Sequence, residues 1–205
     1  MQVKKEISLA EIEREIIEFL SQRATRSGGK RTEPGCNLKH GTPCVLGTCH
    51  DNIPRTTPVD FFHDGSLNLW ICSEPGGKIA NIMRNPNVAV GICDPCDHSV
   101  EQKSLQLWGT AELINGKKDP ALFAQKWTAF GMDEALAGIL EDNMEKGMIP
   151  RVDIDRVLPT VSKKINMVKI TPSKITLLVM RPDGRHVKKT WEQDRAYCRE
   201  LSAGK

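Results

Sequence analysis

Residues 46–92 decide the fold; they read LGTCHDNIPRTTPVDFFHDGSLNLWICSEPGGKIANIMRNPNVAVGI. Short runs of apolar and β-branched residues alternate with polar turn signals such as HDN at 50–52 and HDG at 63–65. This pattern predicts a meander of hairpins with strands at 44–49, 55–62 and 67–72. A short helix at 76–84 follows, and it ends before Pro86 because the residue preceding a proline avoids the α region.

Outward from this stretch, the same strand pattern recurs at 88–93, 105–114, 165–170 and 174–180. Helical spacing flanks it: an N-terminal helix at 9–23 opened by a capping box of Ser8 and Glu11, a helical insertion at 119–146 broken near Gly131, and a C-terminal helix at 191–201. A Gly- and Pro-rich loop spans residues 24–43. We expect a mainly β fold with peripheral helices, in which at least six antiparallel strands close or nearly close into a barrel at 44–180.

Size and composition restrict the function. The chain has 205 residues and a net charge of +3, which favours a single domain spanning 1–205 and small anionic ligands over nucleic acid. No apolar run reaches the roughly 18 residues of a membrane span, and the N-terminus does not have the pattern of a secretion signal. The seven cysteines are an odd number, which favours reduced thiols. These features predict a cytoplasmic protein that is not bound to a membrane.

Two segments carry residues suited to a phosphate. Arg55 stands beside the hydroxyls of Thr56 and Thr57 at the start of a predicted strand, and a guanidinium offers a planar fork of donors with permanent charge. The second segment, CSEPGGK at 72–78, ends a strand with two glycines and opens a helix at Lys78. Helix N-termini present free N–H groups and partial positive charge, so the pair of segments predicts an anion site.

Residues 8–115 resemble the flavin-binding split barrel of the pyridoxamine 5′-phosphate oxidase-like superfamily. The shared features are, in order, Pro-Arg-x-x-Pro, a strand, a small-residue loop with Lys, a short helix ending in Arg-Asn-Pro, and a strand closing in Gly-Thr-Ala. The segment MVKITPSKITLL at 167–178 is a further point of resemblance. The resemblance implies a six-stranded antiparallel split β-barrel of the FMN-binding type. The Arg-x-His and Arg-Leu-x-Pro signature of true pyridoxamine phosphate oxidases is not found, so the likeness does not extend to that substrate.

The resemblance also implies a homodimer with FMN in a cleft between the subunits and a small-molecule substrate. Arg55 and Lys78 would hold the phosphate, and Thr56 and Thr57 would line the ribityl chain and ring edge. A partner-strand contact would fall near Gln106, with Ser104 as the alternative. The full set of cofactor-binding residues that we expect is Arg55, Thr56, Thr57, Pro58, Cys72, Ser73, Gly77, Lys78, Gln106 and Trp108. Cys72 replaces the hydroxyl residue that is commoner in the family.

Two other functions fit the sequence. One is a haem-binding or haem-degrading split barrel that uses a histidine as axial ligand. The other is a non-enzymatic flavin- or metal-binding module in which residues 24–50 carry a metal or a partner. Cys93, Cys96 and His98 have spacing used by metal sites, but one CxxC without a second pair makes ordinary thiols the stronger interpretation. The preferred hypothesis is an FMN-dependent oxidoreductase without an assigned catalytic acid or base.

Overall fold

A computed structural model describes residues 5–28, 38–95, 97 and 99–202. The strands are β1 Lys5–Glu6, β2 Arg26–Ser27, β3 Leu38–Lys39, β4 Cys44–His50, β5 Ile53–Val59, β6 Leu69–Ser73, β7 Asn87–Cys93, β8 Gln102–Ile114, β9 Asn166–Met180, β10 Arg185–Glu192 and β11 Arg195–Ser202. The helices are α1 Leu9–Arg23, α2 Gly77–Arg84, α3 Pro120–Ala129, α4 Met132–Glu145 and α5 Ile154–Ser162. Among these helices, none combines the length and apolarity needed to cross a lipid bilayer.

One antiparallel sheet organises the described chain. Nine strands pair in the order β1-β11-β10-β9-β8-β7-β4-β5, with β6 attached to β9, whereas β2 and β3 form a separate ladder. Strand β9 is central because β6, β8 and β10 all pair with it. The mainly β class with peripheral helices is thus confirmed, and the sheet contains nine strands where six were expected for the barrel.

Two hydrophobic clusters fill the fold. The main cluster lies inside the curved sheet and is closed by Ile12, Ile16 and Leu20 of α1, which fall at helical spacing on one face. A second cluster joins the outer side of β6 to the insertion through Trp70, Phe130 and other apolar residues. Because successive strand residues point to opposite faces, β6 contributes to both clusters.

The helical insertion forms as predicted, with a break at the expected place. Gly131 has φ +62°, a left-handed conformation in which glycine carries no side-chain penalty, and it separates α3 from α4. A further helix, α5, was not predicted. At the N-terminus, α1 begins at the expected residue, but Ser8 makes no side-chain capping hydrogen bond, so the capping box is not formed.

The predicted C-terminal helix at 191–201 is wrong. Strands β10 and β11 form an antiparallel hairpin there, with Trp191 opposite Ala196. Trp191 is buried in the main cluster, and its Nε1 donates to Glu13 Oε1 of α1 at 2.8 Å. Strand pairing with β9 and packing against α1 therefore override the local helical spacing.

Two strand predictions and one loop prediction also differ from the structure. The predicted meander is incomplete, because β6 pairs with β9 and touches the segment after β5 through a single bridge between Phe62 and Trp70. The two strands predicted at 165–170 and 174–180 are one continuous strand, β9. The predicted loop at 24–43 contains β2 and β3, and its residues 29–37 lie outside the described chain.

A glycine fixes the contact between β8 and β9. The register shifts between Trp108 and Gly109, and a Cβ at position 109 would lie 2.2 Å from the backbone oxygen of Thr171. The two backbones therefore approach more closely than any larger residue permits.

Candidate functional site

Strand β5 lies at the end of the sheet order and carries Arg55. Arg55 stands opposite Thr48 of β4, and cross-strand partners share a face of the sheet. Thr48 is buried, and its Oγ1 accepts a hydrogen bond from Asn81 Nδ2 of α2 at 3.1 Å. Arg55 therefore projects on the side of the sheet covered by α2.

The guanidinium of Arg55 packs against the first residue of α2. A Cβ built on Gly77 would lie 2.8 Å from Arg55 Cζ, 3.0 Å from Nη2 and 3.1 Å from Nη1. Glycine at this position is what lets the guanidinium reach the helix N-terminus, next to Lys78 in the chain. In the part of the chain that the structure describes, neither Arg55 nor Lys78 forms an ion pair with a carboxylate. The two predicted phosphate-binding segments thus meet at Arg55 and Gly77, whereas Lys78 is not among the described residues that line the groove beside Arg55.

A groove of about 380 Å³ runs along this edge of the sheet. Arg55 and Thr56 line it together with His50 and Asn81. Sequence reasoning missed Asn81, although its position three residues after Lys78 places it on the same side of a helix. The side-chain amide of Asn81 links α2 to β4 through its bond to Thr48, and the same residue lines the groove.

The predicted site residues on β5 divide between the two faces of the sheet. Arg55 and Thr57 share the face of Thr48 and Leu46, whereas Thr56 and Pro58 share the outer face with Gly47 and Val45.

The outer face continues onto β7 and β8. Gly47 pairs with Ala89 and Ala89 with Trp108, while Val45 pairs with Gly91 and Gly91 with Gln106. Gln106 and Trp108 are both exposed, and Lys174 Nζ lies 5.8 Å from the Trp108 ring centroid. With strands about 4.8 Å apart, these two residues lie about 14 Å from β5 in the same chain.

The side chains of Cys72 and Ser73 contact other protein atoms. Cys72 Sγ donates to Met132 Sδ at 3.7 Å, and burial raises the pKa of this thiol to about 12. Ser73 is buried, and its Oγ donates to the backbone oxygen of Glu74 at 2.8 Å. Both side chains therefore stabilise the end of β6. A ligand at this loop would contact its backbone groups, because these two side chains already have partners.

Three of the four histidines in the described chain have local partners, whereas Nδ1 of the fourth, His186, is buried without a hydrogen-bond partner. Both ring nitrogens of His63 are engaged, Nδ1 with Ser21 Oγ at 2.9 Å and Nε2 with the backbone oxygen of Ser66 at 2.6 Å. His40 and His50 pair with Asp60 and Asp51, at 3.0 and 3.1 Å respectively. His63 has no nitrogen left for an axial bond to haem.

Of the three metal-ligand candidates, Cys93, Cys96 and His98, the structure describes only Cys93. Cys93 is an exposed free thiol at the end of β7, whereas Cys96 and His98 lie outside the described residues. Within the described ranges, no cluster of three or more potential metal ligands occurs.

A curved antiparallel sheet closed by one helix, with an arginine on its edge strand facing a glycine-led helix, defines a split-barrel protein. A sequence profile described as pyridoxamine 5′-phosphate oxidase matches residues 37–160. The chain belongs to the pyridoxamine 5′-phosphate oxidase family. No curated protein matches it.

Solved structures share the fold at low sequence identity. A pyridoxamine 5′-phosphate oxidase-related, FMN-binding protein from Nostoc punctiforme is 14% identical with a TM-score of 0.51, over 79% of this chain and 87% of that chain. PhzG from Burkholderia lata, in complex with tetrahydrophenazine-1-carboxylic acid, is 10% identical with a TM-score of 0.52, over 79% of this chain and 82% of that chain.

Proposed function

We propose that the protein is an FMN-binding flavoprotein that acts as an oxidoreductase on a small molecule. The observation that carries the proposal is the packing of the Arg55 guanidinium against Gly77, at the start of α2. Family membership and the fold shared with a protein named as FMN-binding support it.

Three kinds of group would hold the FMN phosphate. Arg55 supplies a fork of charged donors, and the first turn of α2 supplies backbone N–H groups with partial positive charge. Lys78 adds a compact second charge. Among the described strands, β5 is the last in the sheet order, so its outward backbone groups could also bond to a ligand. This combination favours a dianionic phosphate over a neutral head group.

The outer face suggests how the rest of the cofactor is held. Thr56, Pro58, Gln106 and Trp108 share this face, but the last two lie about 14 Å from β5 within one chain. A second copy of the chain that brings its Gln106 and Trp108 to the edge of β5 would close over the flavin ring. We therefore propose a homodimer with the cofactor at the subunit interface.

The flavin, when bound, supplies the electron transfer. The chain's own residues bind its phosphate, orient the ring and exclude water from it. We assign no catalytic acid or base. The substrate is proposed to be a small molecule other than pyridoxamine 5′-phosphate, because the sequence signature for that substrate is not found.

Substitution of the two cations tests the phosphate site. We expect Arg55→Ala and Lys78→Ala each to weaken FMN binding by about 1.5–3 kcal/mol, the typical worth of a hydrogen bond to a charged group. Quenching of flavin fluorescence during titration measures the affinity. Arg84→Ala, which removes a cation at the opposite end of α2, is the matched control and should bind FMN as the unchanged protein does. Unchanged titration curves for both site variants would exclude this site.

The chromophore of the purified protein separates the proposed cofactor from haem. A flavin gives a yellow, fluorescent solution, and mass spectrometry of the released molecule distinguishes FMN from FAD. A Soret band without flavin absorption would instead support the haem-binding alternative.

A further inference from the structure

A second cavity, of about 890 Å³, lies at an end of the barrel, and none of the described residues that line it also lines the groove at Arg55. Three lysines, Lys117, Lys163 and Lys164, line it together with Glu74, Asn115 and Asn166. Volumes of 300–1,000 Å³ are typical of sites for small organic ligands. The space is therefore large enough for an organic molecule, and three of its eight described lining residues are exposed lysines.

Three separate segments of the chain build this cavity. Ser73 at the end of β6 pairs with Asn166 at the start of β9, and Ile114 at the end of β8 pairs with Met167. The loops that leave these strand ends therefore converge. Asn115 Nδ2 donates to Asn166 Oδ1 at 3.3 Å, which ties two of the segments together.

The three lysines lack the partners that neighbouring lysines have. Lys118 pairs with Glu112 at 3.2 Å, and Lys126 pairs with Asp64 at 2.7 Å. Among the described residues, by contrast, no carboxylate pairs with any of the three cavity lysines. With Glu74 counted, the lining keeps two net positive charges, and such a set of like charges favours a bound anion.

Helix capping explains only part of this arrangement. Lys163 is the C-cap residue of α5, where a cation is stabilised by the helix dipole. Lys117 belongs to the loop after β8, and its presence at the same cavity does not follow from capping of α5.

We infer that this cavity binds a small organic dianion, with Lys117, Lys163 and Lys164 as the charged contacts. The required chemistry is a phosphate monoester or a pair of carboxylates. Glu74 and Pro75 of the cavity lining belong to the segment 72–78, but Arg55, Gly77 and Lys78 do not line the cavity, so the anion would be a second ligand beside the proposed FMN site.

Amide chemical shifts of the full-length, isotope-labelled protein, saturated with FMN, test the inference. Glycerol 3-phosphate and succinate are the two anionic probes, and glycerol is the neutral control. We expect at least one anion to shift amides at 115–117 and 163–166, and glycerol to leave them unchanged. The probe that binds more tightly identifies the preferred anion.

Charge-neutral variants test the lysines. A Lys163→Gln/Lys164→Gln double variant should raise the Kd of the anion at least tenfold. The matched control, Lys146→Gln/Lys188→Gln, removes two exposed charges elsewhere and should leave the Kd within twofold. Equal Kd values for the two double variants, or no shifts at the cavity with either anion, would overturn the inference.

The Arg55→Ala variant separates this site from the proposed FMN site. Anion binding should persist in this variant without FMN, whatever its flavin affinity. Loss of the anion-induced shifts in Arg55→Ala would place the anion at the groove instead and would also overturn the inference.

Discussion

Gly77 is the residue at which the proposed phosphate site is most sensitive to one added methyl group. We expect Gly77→Ala to displace the Arg55 guanidinium, because the new Cβ would lie 2.8 Å from Cζ. The displaced group is the flexible end of a side chain, so FMN affinity should fall about tenfold while the free energy of unfolding changes by less than about 1 kcal/mol. Flavin titration and urea unfolding measure the two effects.

Gly76 provides a control one position away. A Cβ there meets no atom within 4 Å, and its φ of 170° is extended backbone that any residue adopts. Gly76→Ala should therefore bind FMN normally. Equal losses in the two variants would show that loop flexibility, rather than the position of Arg55, controls affinity.

Cys72 is expected to be chemically inert in the folded protein. Burial raises the pKa of its thiol to about 12, and the nucleophile in thiol exchange is the thiolate. At pH 8 a disulfide reagent should therefore modify exposed Cys93 quickly and Cys72 only after unfolding. Mass spectrometry of quenched time points distinguishes the two sites, and rapid labelling of Cys72 would show that β6 opens readily.

At this scale the sequence predicted which residues meet but not where each side chain points. The Arg55 guanidinium packs against Gly77, so the two predicted segments meet, and their role in binding FMN stays a prediction. The division of Thr56 and Thr57 between opposite faces depends on strand register, and so does the direction of Cys72. Register is set by contacts with distant strands, which a local pattern does not reveal.

Among the elements, the helical insertion is anchored to the barrel by Asp64. Burial alone would raise the pKa of this carboxyl, but hydrogen bonds from Lys126, Ser66 and Trp70 lower it to about 2. Lys126 belongs to α3, and its Nζ lies 2.7 Å from Asp64 Oδ2. The pair therefore fastens α3 to the segment between β5 and β6.

The lowered pKa makes stability dependent on pH in acid. The unfolded carboxyl, with its ordinary pKa of 3.8, takes up a proton before the folded one does. About 2 kcal/mol of stability should therefore be present above pH 4 and be lost as the pH falls towards 2. Urea unfolding at several pH values should show a shallower acid dependence in Lys126→Met than in the unchanged protein.

Lys118→Met is the matched control for the anchor. Lys118 pairs with Glu112 at the surface, with both side chains more than half exposed, and such pairs contribute about 0–1 kcal/mol. If Lys118→Met and Lys126→Met changed the acid dependence equally, Asp64 would not be the anchor.

The hairpin of β10 and β11 shows why some elements escaped prediction. Residues 191–201 have apolar residues at near-helical spacing, and the turn between the strands at 193–194 contains neither Gly nor Pro. The strand state is selected by pairing with β9 and by burial of Trp191 against α1, which are contacts between distant parts of the chain. Helices α1 and α2 have strong local signals, and their predicted bounds were close to those observed.

For the whole molecule, the outer face of the sheet predicts self-association. Val45 is 45% exposed and Trp108 is 41% exposed, and the small residues Gly47, Ala89 and Gly91 lie between them. A surface of small residues beside an exposed tryptophan suits another copy of the same surface. We expect Trp108→Lys to shift a dimer to monomers at micromolar concentration, as measured by analytical ultracentrifugation.

Val100→Lys is the control for that substitution. Val100 is an exposed apolar residue in the loop between β7 and β8, and its replacement should leave the dimer intact. A monomeric unchanged protein, or dissociation by both variants alike, would contradict the proposed interface.

The position of β9 in the sheet also has a consequence for biosynthesis. Strand β6 pairs with β9, and Leu69 lies opposite Ile170, about a hundred residues later in the chain. The ladder of β6 therefore cannot form until β9 has been synthesised. A ribosome must add about a hundred further residues before that partner is made. Until then the apolar β6 segment is a target for chaperones and a hazard for aggregation. Slow codons just before residue 166, where β9 begins, would prolong this vulnerable period. We therefore expect them to lower the yield of folded protein.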